Sequence, residues 1–254
     1  MRLFDFANCG RFDDKIEKLK AMAMSENWGK TLDNKNHPVL HNYIFHYFQK
    51  VYEDNLVGYS KDENGEEIAC FNTGLLTSHF DDIYAYFVKN KKTKPNKQEW
   101  FLADFVNASS SKLATFASLP DVVKFFNSID DLYYDTSLEL RINAEHIVKD
   151  NFERFPNTLK QFPEPVLINM IEGALKSTNK RIRRNYKTAV PQYFNSQIQF
   201  LIPLGLTDPI RPDIVIAVYK REQHYYGATC LTMEMAYNNA RLLVKPESDW
   251  LIID

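Results

Sequence analysis

The sequence predicts an α+β fold: N-terminal helices plus a β-hairpin, winged-helix-like in layout, joined to a mostly antiparallel sheet with packed helices. Three observations carry this. Residues 38–55 hold an apolar stripe of helical period and lead into an Asn-Gly hairpin signal. Residues 165–185 hold a second, longer helical stripe. Four strand-like runs then follow one another, at 190–194, 198–204, 213–220 and 225–233, with turn residues between them. Helices and strands that segregate along the chain mark this class.

The elements are justified in order. Ile16, Leu19 and Ala23 recur at helical spacing behind Asp13 and Asp14, which suit a helix N-terminus. A polar stretch spans 27–36. Pro38 then opens a helix in which Leu40, Ile44, Tyr47, Phe48 and Val51 share one face. Residues 56–60 and 67–73 read as the arms of a hairpin around Asn64-Gly65, with Ile68, Cys70 and Asn72 on one side. Residues 82–90 form a strand with apolar residues on both faces. Five lysines follow within 89–97 (Lys89, Lys91, Lys92, Lys94, Lys97), a solvated basic loop. Residues 99–106 are an aromatic-rich strand, and Pro120 opens a short helix to 126. Leu138, Leu140 and Ile142 alternate with Glu139, Arg141 and Asn143 over a half-buried strand at 137–143. A helix runs from 144 to about 154, where Pro156 stops it. The helix at 165–185 buries Val166, Met170, Ile171, Ala174, Leu175, Thr178 and Ile182. A last helix spans 234–244. The expected division is an N-terminal subdomain at 1–80 and an α+β core at 81–254, with one continuous domain as the alternative.

Composition narrows the function. Glycine is 8 of 254 residues, about 3% against a usual ~7%, which leaves few places for a phosphate-cradling loop. No Walker A sequence, G-x-G-x-x-G, G-x-S-x-G, H-E-x-x-H or C-x-x-C is present, and no carboxylate cluster has metal-site spacing. No cofactor or metal is therefore expected. Cys9, Cys70 and Cys230 are well separated and fit a reducing compartment, so the expected location is cytoplasmic, without a signal peptide or membrane span.

Any phosphate must then be held by side chains. The net charge is only -2, yet Lys176, Lys180, Arg181, Arg183, Arg184 and Lys187 place six cations in twelve residues with no acid among them. If the helix reaches 187, five of them form one stripe at i, i+4, i+7, i+8 and i+11. Arginine forks bind phosphate bidentately and lysine supplies a point charge. Tyr186 and Tyr193 interleave as base-stacking candidates. The alternative is a solvated helix face paired with acids from elsewhere. Asn238, Asn239 and Arg241, expected at a strand–helix junction, either cap that junction or read a ligand. Arg141 is a third phosphate candidate with Glu139 as its orienting partner, or the two are a surface pair. Glu139 or His146 is the candidate proton-transfer group. Gly74 permits a positive φ or presents amides to an anion.

The segments LFDFAN (3–8), CFNTGLLT (70–77), IYAYFVKN (83–90), DTSLELRIN (135–143), RRNYKTAVPQYF (183–194), IQFLIPLGLTDP (198–209) and LTMEMAYNNARLL (231–243) resemble an uncharacterised prokaryotic and phage family, domain-of-unknown-function family 3825. The resemblance covers nearly the whole chain. It implies an RNA-related role, because relatives are joined to LOTUS or cold-shock RNA-binding modules. It assigns no catalytic residue.

The functional expectation is an RNA- or nucleotide-binding protein, as an RNA-processing enzyme that works by metal-independent phosphoryl transfer. A non-catalytic RNA- or protein-binding regulatory module is the rival, and a small-nucleotide hydrolase or sensor is the third option.

Overall fold

The structure is a computed structural model that describes residues 1–29, 37–91, 98–248 and 250–253. Most of the polar stretch at 27–36 and of the lysine-rich loop at 89–97 lies outside these residues. The chain forms two compact units, Met1–Lys124 and Phe125–Asp254. Each has its own five-stranded sheet. The α+β class holds for both.

The first unit contains α1 (Leu3–Phe6), β1 (Ala7–Asn8), α2 (Phe12–Met22), α3 (Pro38–Glu53), β2 (Gly58–Lys61), β3 (Glu67–Leu76), β4 (Asp82–Lys89) and β5 (Trp100–Asn107). Its strand order is β1-β5-β4-β3-β2, antiparallel except for the short β1–β5 pair. The stripe on α3 is buried as its period demands, from Val39 to Val51. Phe48, Phe71 and Phe87 meet below it, with Phe71 5.2 Å from Phe48 and 5.8 Å from Phe87. Ile68, Cys70, Tyr84 and Tyr86 form a second cluster with Val106 and Leu113. The strand at 82–89 is thus buried on both faces, as its sequence suggested.

The β2–β3 hairpin is not a free wing. It is one margin of the five-stranded sheet, because β3 continues by hydrogen bonding into β4. The division expected near residue 80 would cut between those paired strands, and it falls at 124 instead. The short helix expected from Pro120 does not form, since 121–126 has no regular structure. Its Val123 amide is taken by the Tyr47 hydroxyl at 3.1 Å. A tertiary partner here outbids a helical hydrogen bond.

The second unit contains β6 (Glu139–Ile142), α4 (Ala144–Asn151), α5 (Asn157–Lys160), α6 (Glu164–Ile182), β7 (Val190–Phe194), β8 (Gln197–Leu204), β9 (Ile214–Arg221), β10 (His224–Leu231) and α7 (Met233–Leu243). The strand order is β6-β10-β9-β8-β7. β6 runs parallel to β10, and the other pairs are antiparallel. Phe200, Ile202, Ile216, Val218, Tyr225 and Cys230 pack with Ile147, Leu167, Ile171 and Ala174 from α4 and α6. The buried stripe of α6 is Leu167, Ile171, Ala174, Thr178 and Ile182, so Val166 stands exposed outside it.

All three cysteines are free and buried. Burial pushes the thiols of Cys9 and Cys70 up to about 12 and that of Cys230 to about 11. None is a thiolate nucleophile at neutral pH. Among the described residues, no helix is long and apolar enough to cross a membrane, and no group of three His, Cys, Asp or Glu side chains is placed to hold a metal.

Candidate cationic and sheet-face site

The expected helix extension to 187 does not occur. α6 ends at Ile182 with Arg183 as its C-cap residue. A turn follows, then a short 3-10 segment at Tyr186–Thr188 in which the Asn185 side chain accepts from the Lys187 amide at 3.1 Å. Lys187 is therefore off the helical stripe. Residues 183–187 form one contiguous exposed segment. Arg183, Arg184, Tyr186 and Lys187 are all exposed, with Tyr186 at 65%. Arg184 donates from Nη1 to the Lys180 carbonyl at 2.8 Å, and Arg181 from Nη1 to the Pro209 carbonyl at 2.9 Å. Cations at a helix C-terminus also complement its dipole. Among the described residues, no carboxylate lies within 4.0 Å of the charged nitrogens of Lys176, Lys180, Arg181, Arg183, Arg184 or Lys187.

Tyr193 differs from Tyr186. It is half-buried in β7, and its ring meets Phe125 edge-on at 4.9 Å. Its ring is already engaged, whereas Tyr186 is open.

Asn238 and Asn239 do not sit at a helix start. α7 begins at Met233, where the Thr232 hydroxyl caps it by accepting from the Met235 amide at 3.3 Å. The asparagines lie in the helix interior and are half-buried, with the Asn238 Oδ1 buried and unpartnered among the described residues. Threonine supplies the capping that the asparagines were expected to supply. Thr232→Ala is expected to lower stability by about 1 kcal/mol in urea unfolding. Arg241 is buried on α7.

Glu139 and Arg141 sit on β6 as the alternation required, both exposed. Glu139 accepts from the Arg141 Nε at 2.9 Å. The Glu139 carboxylate holds the Arg141 guanidinium above its usual range, and Tyr226 is its neighbour across the strand pair. A partner not seen in the sequence completes the group: His224 Nε2 lies 3.4 Å from Glu139 Oε2. His146 is elsewhere. It is exposed on α4 and faces Asp150 at 3.2 Å, while the Asn143 side chain caps that helix through the His146 amide. It does not approach Glu139.

A recess of about 230 Å³ is lined by Tyr134, Thr136, Leu138, Glu139, Leu140, Asn179, Ile182 and Arg183. Of the candidates, only Glu139 and Arg183 border it. A larger cavity of about 660 Å³ lies in the first unit beside Trp100, Tyr59 and Tyr52. It carries Asp5, Glu67 and Glu99 against Lys89, which is paired with both glutamates at 2.5 and 2.6 Å. That sign of charge disfavours phosphate. Gly74 also presents no amide to an anion, because its N–H is given to the Asn72 side chain at 2.9 Å.

With this geometry in hand, a family model described as a domain of unknown function (DUF3825) matches residues 19–250. The chain belongs to the DUF3825 family. The DUF3825 match includes every candidate residue named above, in both units. No curated protein and no solved structure matches the chain.

Proposed function

We propose that this DUF3825 protein binds RNA or a nucleotide through phosphate contacts, with Arg183, Arg184 and Lys187 as the principal cations and Tyr186 as a neighbouring ring. One observation carries the reading: six cations at 176–187 lack carboxylate partners among the described residues, in a chain of net charge -2. An unneutralised local field of this kind favours a localised anionic ligand. The resemblance to a prokaryotic and phage family whose members join LOTUS or cold-shock modules points the same way.

A salt titration of filter-bound single-stranded RNA tests it. Each phosphate contact contributes about 0.7 to the slope of log K against log salt for single strands. Arg183→Glu with Arg184→Glu is expected to lower the slope by about 1.4 and affinity at least tenfold. Unchanged binding by the double variant refutes the proposal.

A second reading, metal-independent RNA cleavage, draws support from the contact between Glu139 and His224 beside Arg141. One of the pair can accept the 2′-hydroxyl proton as that oxygen bonds to phosphorus, the other in its protonated form can give a proton to the 5′-oxygen as its bond to phosphorus breaks, and a guanidinium can stabilise the negative charge on the non-bridging oxygens. Cleavage of labelled RNA that Glu139→Gln or His224→Asn abolishes, with binding retained, would establish it. An intact RNA after prolonged incubation would leave a non-catalytic binding module.

A further inference from the structure

Strand register in the second unit assembles a surface that no single stretch of sequence displays. Glu139 on β6 lies opposite His224 on β10, which lies opposite Arg221 on β9. One step along, Arg141 lies opposite Tyr226, which lies opposite Tyr219. Directly opposed residues project to the same face of a sheet, and residues two apart on a strand share that face. These six side chains therefore form two adjacent rows on one face. Residues of the opposite alternation on the same strands, Leu140 and Ile142 on β6, Tyr225 on β10 and Val218 on β9, belong to the core beneath α4 and α6, so the rows lie on the other side. α7 packs chiefly along β7, at the other margin of the sheet. The rows stay accessible: Glu139, Arg141 and Arg221 are exposed, and His224, Tyr219 and Tyr226 are half-buried.

The two tyrosine rings stack against each other, with centroids 6.0 Å apart and planes 28° apart. His224 stands 6.2 Å from Tyr226. The charges within the two rows are Arg141 and Arg221 against the carboxylate of Glu139, which Arg141 already engages.

We infer that this face is a base-stacking platform for single-stranded RNA, with successive bases over Tyr226 and Tyr219 and the backbone phosphates on Arg141 and Arg221. The inference rests on the RNA reading above and names its substrate class. Neighbouring strands are roughly 5 Å apart, which spaces rings for successive unstacked bases. Rings of this kind can engage only bases whose faces are free, so a duplex is a poor ligand for them. Stacking is tolerant of sequence, since every base has a π-face. The positive balance beside the rings complements a phosphate backbone and disfavours a basic protein partner.

The test is fluorescence anisotropy of a labelled single-stranded 12-mer RNA and of the same sequence as a duplex. The variants are Tyr219→Leu and Tyr226→Leu, which keep apolar bulk but remove the ring, and Tyr219→Phe and Tyr226→Phe, which keep the ring. Each leucine variant is expected to bind single strands about tenfold more weakly, with the salt slope unchanged. The phenylalanine variants should bind like the wild type, and the duplex at least tenfold more weakly than the single strand. Leucine variants that bind like the wild type, while Arg183→Glu with Arg184→Glu loses affinity, overturn the platform and leave the RNA reading standing. A preference for duplex overturns it likewise. A wild-type protein that binds no RNA in either form overturns both, and the face then belongs to a protein partner or to none.

Discussion

Tyr225→Ala is expected to lower the stability of the second unit by about 4 kcal/mol, and Tyr225→Phe by about 1. The ring is 1% exposed and has Tyr134 stacked 4.3 Å away and Phe200 edge-on at 5.8 Å. Truncation to alanine removes both aromatic contacts and leaves a void that the surrounding strands and helices can only partly fill. The phenylalanine variant keeps the packing and loses one bond, that of the Asp135 amide to the Tyr225 hydroxyl at 3.0 Å. That amide is only partly buried, so water replaces part of the loss. The bond also fixes the chain just before β6, where Glu139 and Arg141 follow. Urea midpoints at constant m-value measure both effects. An alanine variant less than 2 kcal/mol down would show that the site collapses around the missing ring.

Gly74→Ala is expected to destabilise the first unit by about 3 kcal/mol, and two causes add. Gly74 has φ of +70°, where a Cβ costs roughly 1 kcal/mol. The new Cβ would also lie 2.7 Å from the hydroxyls of Tyr43 and Tyr47. Neither hydroxyl is free to retreat. Tyr43 donates to the Thr73 carbonyl at 3.0 Å, and Tyr47 accepts from the Val123 amide. Overpacking against pinned groups costs about 1–3 kcal/mol. The two causes separate in a double-mutant cycle. Gly74→Ala made in a Tyr47→Phe background should cost about 1 kcal/mol less than in the wild type, because one obstructing hydroxyl is gone. A cycle with no coupling would assign the whole effect to backbone strain.

The elements that sequence period identified best are those whose partners do not matter to the signal. The α3 stripe, the alternation over 139–142 and the four strands from 190 to 231 needed only their own residues. Helix ends were harder. Lysine and arginine favour a helix interior and a helix C-terminus about equally, so the run at 180–187 gave no mark of where α6 stops. The turn is set by Asn185, whose side chain serves the next segment rather than the helix. Asn238 and Asn239 misled for the opposite reason: capping residues by preference, they stand in a helix interior whose start Thr232 had already capped.

The candidate site was legible in part. Glu139 and Arg141 were placed on one strand face from alternation alone, and they pair as drawn. His224, Tyr226, Tyr219 and Arg221 were missed because each is an ordinary strand residue in isolation. Only the parallel pairing of β6 with β10 makes them neighbours, and a chain reading gives strands without their order. A clue was present in the alternation itself: Tyr219, Arg221, His224 and Tyr226 are the outward positions of their hairpin, and polar-aromatic outward positions carry more information than apolar inward ones.

The buried cysteines supply a separate clock for each unit. A thiol that is both covered and held protonated reacts with an alkylating reagent only when the structure around it opens. Cys9 and Cys70 time openings in the first unit, and Cys230 times those in the second. Mass-resolved labelling of the unmodified chain should then report two opening free energies at once. Gly74→Ala should accelerate labelling at Cys70, and Tyr225→Ala at Cys230, so the covering of three unreactive thiols becomes a means of reading local stability without any added probe.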